Sequence, residues 1–414
     1  MTAAWGGAAR RHWWLLVIVL AIAMRLFALF LASGVPHIGD PANYLQLAEA
    51  LDSGHGLALS RSDGAPAVPT ALYPPMLPVL LAGIGILFPL SALTLCLFNS
   101  LIDIAAALLL GRLSAQLGRP DLSMPLRLGY LAWPSIALMA PLAYKEGLFI
   151  ALLLASLVAL LEARRGGARW AVASGIAAGA MILTQPAITP FLPLAFIALE
   201  PSFDRRGRWF RVCLIAAAVA VLVLLPWWAR NAITFGSFIP FTSSGGLALW
   251  QGAHPAGGMQ FQPPPSSWAH TGELAAAQLA QSAAWQTITS DPLGYVQRCL
   301  AKLPASFVMT NWAVDQLVFG TGQPMPGLAR STVLRLAPTM AELFAVMLAI
   351  IGLLRLPRSL PARLLWASIA QIMIFGIWFE FSERHRLFMA PFILFMAATV
   401  LTGDLQRRRA VHKT

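Results

Sequence analysis

Charge is scarce in this 414-residue chain: Asp, Glu, Lys and Arg make up 11% of it, against roughly 25% in ordinary globular proteins. That excludes a water-soluble enzyme of this size, because too little polar surface remains to cover it. The scarcity is one-sided, with 17 acidic residues against 29 basic ones and a net charge of +12. Three cysteines, Cys96, Cys213 and Cys299, imply no disulfide framework and exclude a small secreted module. The seven histidines show no HxxxH spacing, so no metal site has a signature here. P-loop, GxSxG and Rossmann fingerprints are all missing, and no cofactor is required by the sequence. A divalent cation remains compatible but has no motif behind it. No internal repeat is present, which removes the inverted-repeat signature of many secondary transporters.

Apolar residues fill the space: 58% of the chain, with a mean hydropathy of +0.70. Several windows exceed the roughly 18 apolar residues that cross a bilayer. The expectation is an all-α polytopic membrane protein whose first partner is the lipid bilayer. The apolar segments fall at about 13–32, 91–110, 128–143, 147–162, 170–184, 187–200, 212–229, 333–354, 364–380 and 386–402. Arg10 and Arg11 precede the first, which lacks a small-residue cleavage site and reads as a retained anchor. Basic clusters lie at Arg112, Arg119 and Arg127, at Arg164, Arg165 and Arg169, and at Arg205, Arg206, Arg208 and Arg211. Two more lie at Arg355, Arg358 and Arg363, and at Arg407, Arg408, Arg409 and Lys413. All share one side if ten spans alternate from a cytoplasmic N-terminus, which puts both termini inside. The same rule accounts for the net charge without a nucleic-acid partner. Counting 74–90 as a further crossing would invert every later loop, so it reads as an interfacial or re-entrant helix.

This layout divides the chain into an N-terminal membrane module (1–229) with a first external loop at 33–90, an external region (230–332), and the last three spans with a basic tail (333–414). Helical patterns at 273–290 and near 295–307, separated by Asp291-Pro292, with Trp250, Trp268, Trp285 and Trp312, describe an ordered external region at the membrane interface.

Ionisable residues at the outer ends of spans are the candidates for chemistry. Asp40 stands in Gly39-Asp40-Pro41-Ala42-Asn43-Tyr44, where it can cap a helix with Pro at its first position, or serve as a base, or both. Arg25 lies inside span one. Asp103, with Asn99 one turn earlier, reads as a buried polar pair in span two. Lys145 and Glu146 occupy a turn between spans, Arg230 and Asn231 follow Pro226-Trp227-Trp228-Ala229, and Glu383, Arg384, His385 and Arg386 sit at the outer end of the ninth span. A carboxylate among cations at one membrane level suits transfer of a group from a lipid phosphate.

These segments, in order, resemble the GT-C glycosyltransferases of bacterial inner membranes, relatives of protein O-mannosyltransferases and the lipid A aminoarabinose transferase. The likeness rests on Arg25, the Asp40–Tyr44 segment, Gly54-His55-Gly56, Tyr73-Pro74-Pro75, Leu183-Thr184-Gln185-Pro186, Pro226-Trp227-Trp228-Ala229-Arg230-Asn231 with Phe235-Gly236, and Arg384-His385-Arg386 with Pro391. It implies a GT-C-like bundle of about 10 (10–12) transmembrane helices, interfacial helices in the first external loop, and a mostly helical external region before the last three spans. It further implies an inverting enzyme taking a sugar from a polyprenyl-phosphate donor to a glycan, lipid or protein acceptor on the periplasmic face of a bacterial inner membrane. Asp40 then takes the role of catalytic base, with Arg25, Lys145, Arg230, Arg384 and Arg386 as candidate donor-phosphate contacts. Tyr44, Glu146, Asn231 and His385 are further site candidates. Gln185 departs from the family's usual Arg. The alternatives are a surface-polysaccharide polymerase or ligase, and a lipid or solute transporter.

Overall fold

The computed structural model describes the backbone of residues 4–32, 37–60, 66–200, 206–255, 262–308, 312–319 and 328–411. The side chains of Arg10, Arg11, Arg205, His270, Arg407, Arg408, Arg409 and Lys413 lie outside the described residues. The N-terminal half holds α1 (Ala4–Ala32), α2 (Asp40–Asp52), the two-residue strands β1 (Ala58–Leu59) and β2 (Val68–Pro69), α3 (Met76–Gly85), α4 (Ala92–Gln116), α5 (Ser123–Leu131), α6 (Pro134–Leu138), α7 (Glu146–Arg165), α8 (Ala168–Ile182) and α9 (Phe191–Ala198). After these come α10 (Arg206–Phe235), α11 (Gly245–Ala253), α12 (Glu273–Ser290), α13 (Pro292–Val308), α14 (Trp312–Phe319), α15 (Leu328–Arg355), α16 (Leu360–Gln371), α17 (Glu383–Arg386) and α18 (Ala390–Val411).

The chain is a multi-pass membrane protein. Six of these helical segments are long and apolar enough to cross a bilayer: Trp13–Ala32, Ala92–Gln116, Glu146–Arg165, Arg206–Phe235, Leu334–Arg355 and Glu383–Thr402. Burial sorts them. The Glu146–Arg165 and Glu383–Thr402 spans are 78% and 72% buried inside the protein, whereas Trp13–Ala32 is 22% buried. The first two are therefore the axis of the bundle, and α1 lies on its rim with Leu15, Leu16, Val19, Leu20 and Phe30 pointing outward. Shorter apolar helices cover 168–182, 186–198 and 360–376. α8 reaches α10 closely because Gly175 and Gly179 have no side chains. A Cβ on Gly175 would stand 2.4 Å from the Ala216 carbonyl oxygen, and one on Gly179 2.7 Å from Val223 Cβ. Small residues one turn apart are a recurrent way to bring membrane helices into contact.

The segment at 128–143 is not one helix. α5 stops at Leu131, Trp133 is extended, and α6 restarts with Pro134 at its first position. Proline removes a donor and pushes its predecessor out of the helical region, so the break is local. Exposed carbonyls at membrane depth need donors, and two residues supply them. Arg25 Nη1 donates to the Leu131 carbonyl at 2.7 Å, and Asn99 Nδ2 donates to the Ala140 and Leu142 carbonyls at 2.8 and 2.9 Å.

α3 has ten residues, about 15 Å at 1.5 Å per residue, half the hydrocarbon thickness. It packs on α2 through Tyr44, Ala48, Leu77 and Leu81, which meet Leu95, Ala143 and Leu148 of the bundle. Farther along, α10 continues past residue 229 to Phe235. Glu273, at the start of α12, ties the first loop to the later external helices. Its carboxylate accepts from Thr70 Oγ1 at 2.6 Å, the Ala71 N–H at 2.8 Å and Ser243 Oγ at 2.6 Å.

Candidate active site

Asp40 is the first residue of α2, not its cap. Gly39 occupies the capping position with φ of 62°, where glycine carries no Cβ penalty, and no side chain caps the helix. This frees the Asp40 carboxylate to point elsewhere. Oδ2 meets Arg384 Nη1 in a tight ion pair, and Oδ1 accepts from the Tyr73 hydroxyl at 3.1 Å. That hydroxyl in turn accepts from Asn43 Nδ2 at 2.6 Å. Pro41 at the helix start and the Tyr73-Pro74-Pro75 run thus place their partners by local rigidity. Burial alone would raise the Asp40 pKa. The charges of Arg384 and Lys145, with the hydrogen bonds from Arg384 and Tyr73, outweigh it and hold the carboxyl below its usual value. Burial, then the Asp40 charge, push the Tyr73 hydroxyl well up, so it stays a phenol that donates.

The rest of the cluster closes around this pair. Arg384 also reaches Glu380 Oε1 at 3.4 Å, and its guanidinium lies 4.7 Å from the Trp312 ring centre. Trp312 stacks edge-on against Tyr144 at 5.0 Å, and Tyr44 against Tyr73 at 5.2 Å. Lys145 holds its ammonium 5.9 Å from the centre of the Tyr44 ring. Burial lowers its pKa, while Glu146 and Asp40 work the other way. No carboxylate lies within ion-pair distance of Lys145 among the described residues, so its charge is available. Several buried atoms here have no hydrogen-bond partner among the described residues: Tyr44 Oη, Tyr144 Oη, Glu146 Oε2 and Arg384 Nε. A buried polar group without a partner costs about 1–3 kcal/mol, so these four atoms keep hydrogen-bonding capacity in one place.

The structure thus brings together Asp40, Tyr44, Lys145, Glu146 and Arg384 from three distant stretches of sequence, and leaves other candidates out. Arg25 is not at this level: it pairs with Asp103 at 2.6 Å inside the bundle, and its Nη1 donates to the Ala21 and Leu131 carbonyls. Asp103 therefore belongs with Arg25, and Asn99 with the broken 128–143 segment. Arg230 donates to the Thr70 and Leu57 carbonyls at 2.8 and 2.9 Å and lies over the Trp227 and Phe235 rings, which clamps the first loop. Asn231 is fully buried and donates to the Ile239 carbonyl at 3.1 Å. Arg386 is buried against Glu342 at 3.0 Å and the Ser306 carbonyl at 2.9 Å. His385 accepts the Ser382 N–H through Nδ1 at 3.0 Å and closes a capping box. Gln185 is buried beside the 186–188 turn, with no hydrogen bond to the cluster.

Tyr73, Trp312, Glu380 and Tyr144 were missed as site residues. Tyr73 was legible at the head of the Pro-Pro run, but Trp312 stands far from Arg384 in sequence with no local signal. No three His, Cys, Asp or Glu side chains come together as a metal set among the described residues.

No family model and no curated protein matches the sequence. Solved structures do match its fold. AglB, an oligosaccharyltransferase from Archaeoglobus fulgidus in complex with an inhibitory peptide and a dolichol-phosphate, is similar with a TM-score of 0.56 and 16% identity, over 98% of this chain and 52% of that one. The apo form of the oligosaccharyltransferase from that organism gives 0.53 and 15%, over 96% and 52%. Its form tethered with an acceptor peptide gives 0.54 and 15%, over 95% and 50%. The chain spans about half the length of these structures. At this identity the likeness establishes architecture alone: the protein shares the fold of these oligosaccharyltransferase structures over about half of their length.

Proposed function

We propose that this protein is an inverting membrane glycosyltransferase. It moves a sugar from a polyprenyl-phosphate donor to an acceptor hydroxyl, on the external, periplasmic side of a bacterial inner membrane. The observation that carries this is the meeting of a partly exposed carboxylate, Asp40, with a free ammonium, Lys145, and a half-satisfied guanidinium, Arg384. Asp40 takes the proton from the acceptor hydroxyl, whose oxygen attacks the anomeric carbon from the face opposite the phosphate. The carbon–oxygen bond to phosphate breaks, and the electron pair leaves with the polyprenyl phosphate. Lys145 and Arg384 offset the charge that grows on the departing oxygen. Tyr73 and Asn43 hold the carboxylate in one orientation. The similar fold of an oligosaccharyltransferase observed with dolichol-phosphate supports a lipid-phosphate donor.

The test supplies purified wild type and Asp40→Asn, in detergent, with radiolabelled polyprenyl-phosphate sugars and a membrane-extract acceptor pool. Transfer by wild type, with donor binding but no transfer by Asp40→Asn, is expected. Equal transfer by both would leave Asp40 as a structural residue and sink the mechanism.

A further inference from the structure

The hairpin of α12 and α13 shows no unpaired charge to water. It contains four acidic or basic residues, Glu273, Asp291, Arg298 and Lys302, and each is engaged within the protein. Glu273 clamps the first loop, and Asp291 pairs with Arg298 at 3.1 Å. Lys302 is buried, with its ammonium donating to the carbonyls of Gly252, Ile377 and Phe379, each at 3.0 Å. An external helical hairpin in water ordinarily carries charge over its outer face.

α13 also leaves apolar side chains uncovered. Tyr295, Cys299, Lys302 and Ser306 are spaced i, i+4, i+7 and i+11, so they share one face, and all four are buried against the protein. The opposite face presents Leu293, Val296 and Leu300, exposed by 69%, 36% and 46%. The inward face packs Tyr295 and Cys299, with Leu303 and Phe307, into the core, so the three aliphatic side chains are left over on the outer face. Such an uncovered stripe is stable when the outer medium is apolar. The surface beside it has that character. α13 packs against α15, whose Leu336, Met340, Phe344 and Met347 are exposed, and next to the carbonyls that hold Lys302 stand exposed Ile374, Phe375 and Phe379. Trp285 of α12 is also exposed, and its amphipathic ring suits the headgroup level.

We infer that the Leu293–Val296–Leu300 stripe continues the lipid-facing belt of the bundle, with α13 lying as an interfacial helix in the leaflet nearest Asp40. Its occupant is the bilayer. Because Ser306 of this helix accepts from Arg386, the leaflet would set the height of the segment that leads to Trp312 and Arg384.

The three native cysteines are buried, so Leu293→Cys in the full chain can be labelled selectively with an environment-sensitive fluorophore and placed in phosphatidylcholine liposomes. Ser267→Cys, at an exposed position before α12, serves as comparison. With lipid brominated near the headgroup end of its acyl chains, the label at 293 is expected to lose most of its emission and the label at 267 little. A water-like spectrum at 293 without quenching would overturn the inference. So would a blue-shifted spectrum without quenching that depends on the protein-to-lipid ratio, because it would identify a second copy or another protein as the cover. Should Leu293→Cys fail to fold, Leu300→Cys on the same stripe carries the same measurement.

Discussion

Arg384 and Arg386 leave the same short helix, yet their surroundings differ in kind. Arg386 is 1% exposed and faces Glu342, also 1% exposed, with its Nε donating to the Ser306 carbonyl and its guanidinium over the Phe307 ring. Arg384 shares a carboxylate that is itself 25% exposed, reaches Glu380 only at 3.4 Å, and leaves Nε without a partner. The difference is one of completeness. A saturated buried ion pair has no capacity for a ligand and acts as a cross-link. An incomplete one, beside a free Lys145 and orphan phenols, has capacity to spare. Arg25 with Asp103 falls on the first side of this divide, and the Asp40 cluster on the second.

The contrast can be broken at either end. The largest expected effect is at Asp40: replacement by Asn should reduce transfer by about 10²–10⁴-fold, the usual share of a general base. At the other cluster, Arg386→Leu leaves Glu342 buried and uncompensated. It should cost about 3–5 kcal/mol of stability, read as a large drop in the unfolding midpoint, whereas full stability would place Arg386 outside the framework. Lys145→Gln should instead leave unfolding nearly unchanged, Arg384→Gln should cost less stability than Arg386→Leu because the Asp40 it leaves is 25% exposed, and both should weaken donor binding. Loss of one charged hydrogen bond, about 1.5–3 kcal/mol, is roughly tenfold or more in Kd for polyprenyl phosphate.

The smallest effect is a shift in pH. Asp40 has a folded pKa held below its usual value by Arg384 and Lys145 against burial. The stability it contributes is therefore fully present above the unfolded value of about 3.9 and is lost as pH falls through the lower folded one. Removing Arg384 should move the acid limb of kcat/KM to higher pH. An unmoved limb in Arg384→Gln would show that the limb belongs to another group.

Much of the fold was legible because it follows from local rules. The apolar runs gave the membrane class, and the helix at 273–290, with its break at Asp291-Pro292, stands where capping and proline chemistry place it. A helix beginning at Asp40-Pro41 was legible for the same reason, although Gly39 and not Asp40 takes the capping position. The 128–143 segment was misread as one span because hydropathy is blind to a proline break inside an apolar run. Arg25, Arg230 and Arg386 looked equivalent to Arg384 because an arginine in sequence carries a charge but not its partner.

By itself the sequence determined that this protein lives in a bilayer, where its helices run, and which few ionisable residues lie at their ends. Those properties depend on composition and on neighbours a few residues away. Only the tertiary structure decided which arginine is spent on a carboxylate or a carbonyl and which is left with capacity. That depends on groups hundreds of positions apart, as with Asp40 and Arg384, whose meeting in a low-dielectric setting makes pairing strong and any unfilled bond costly.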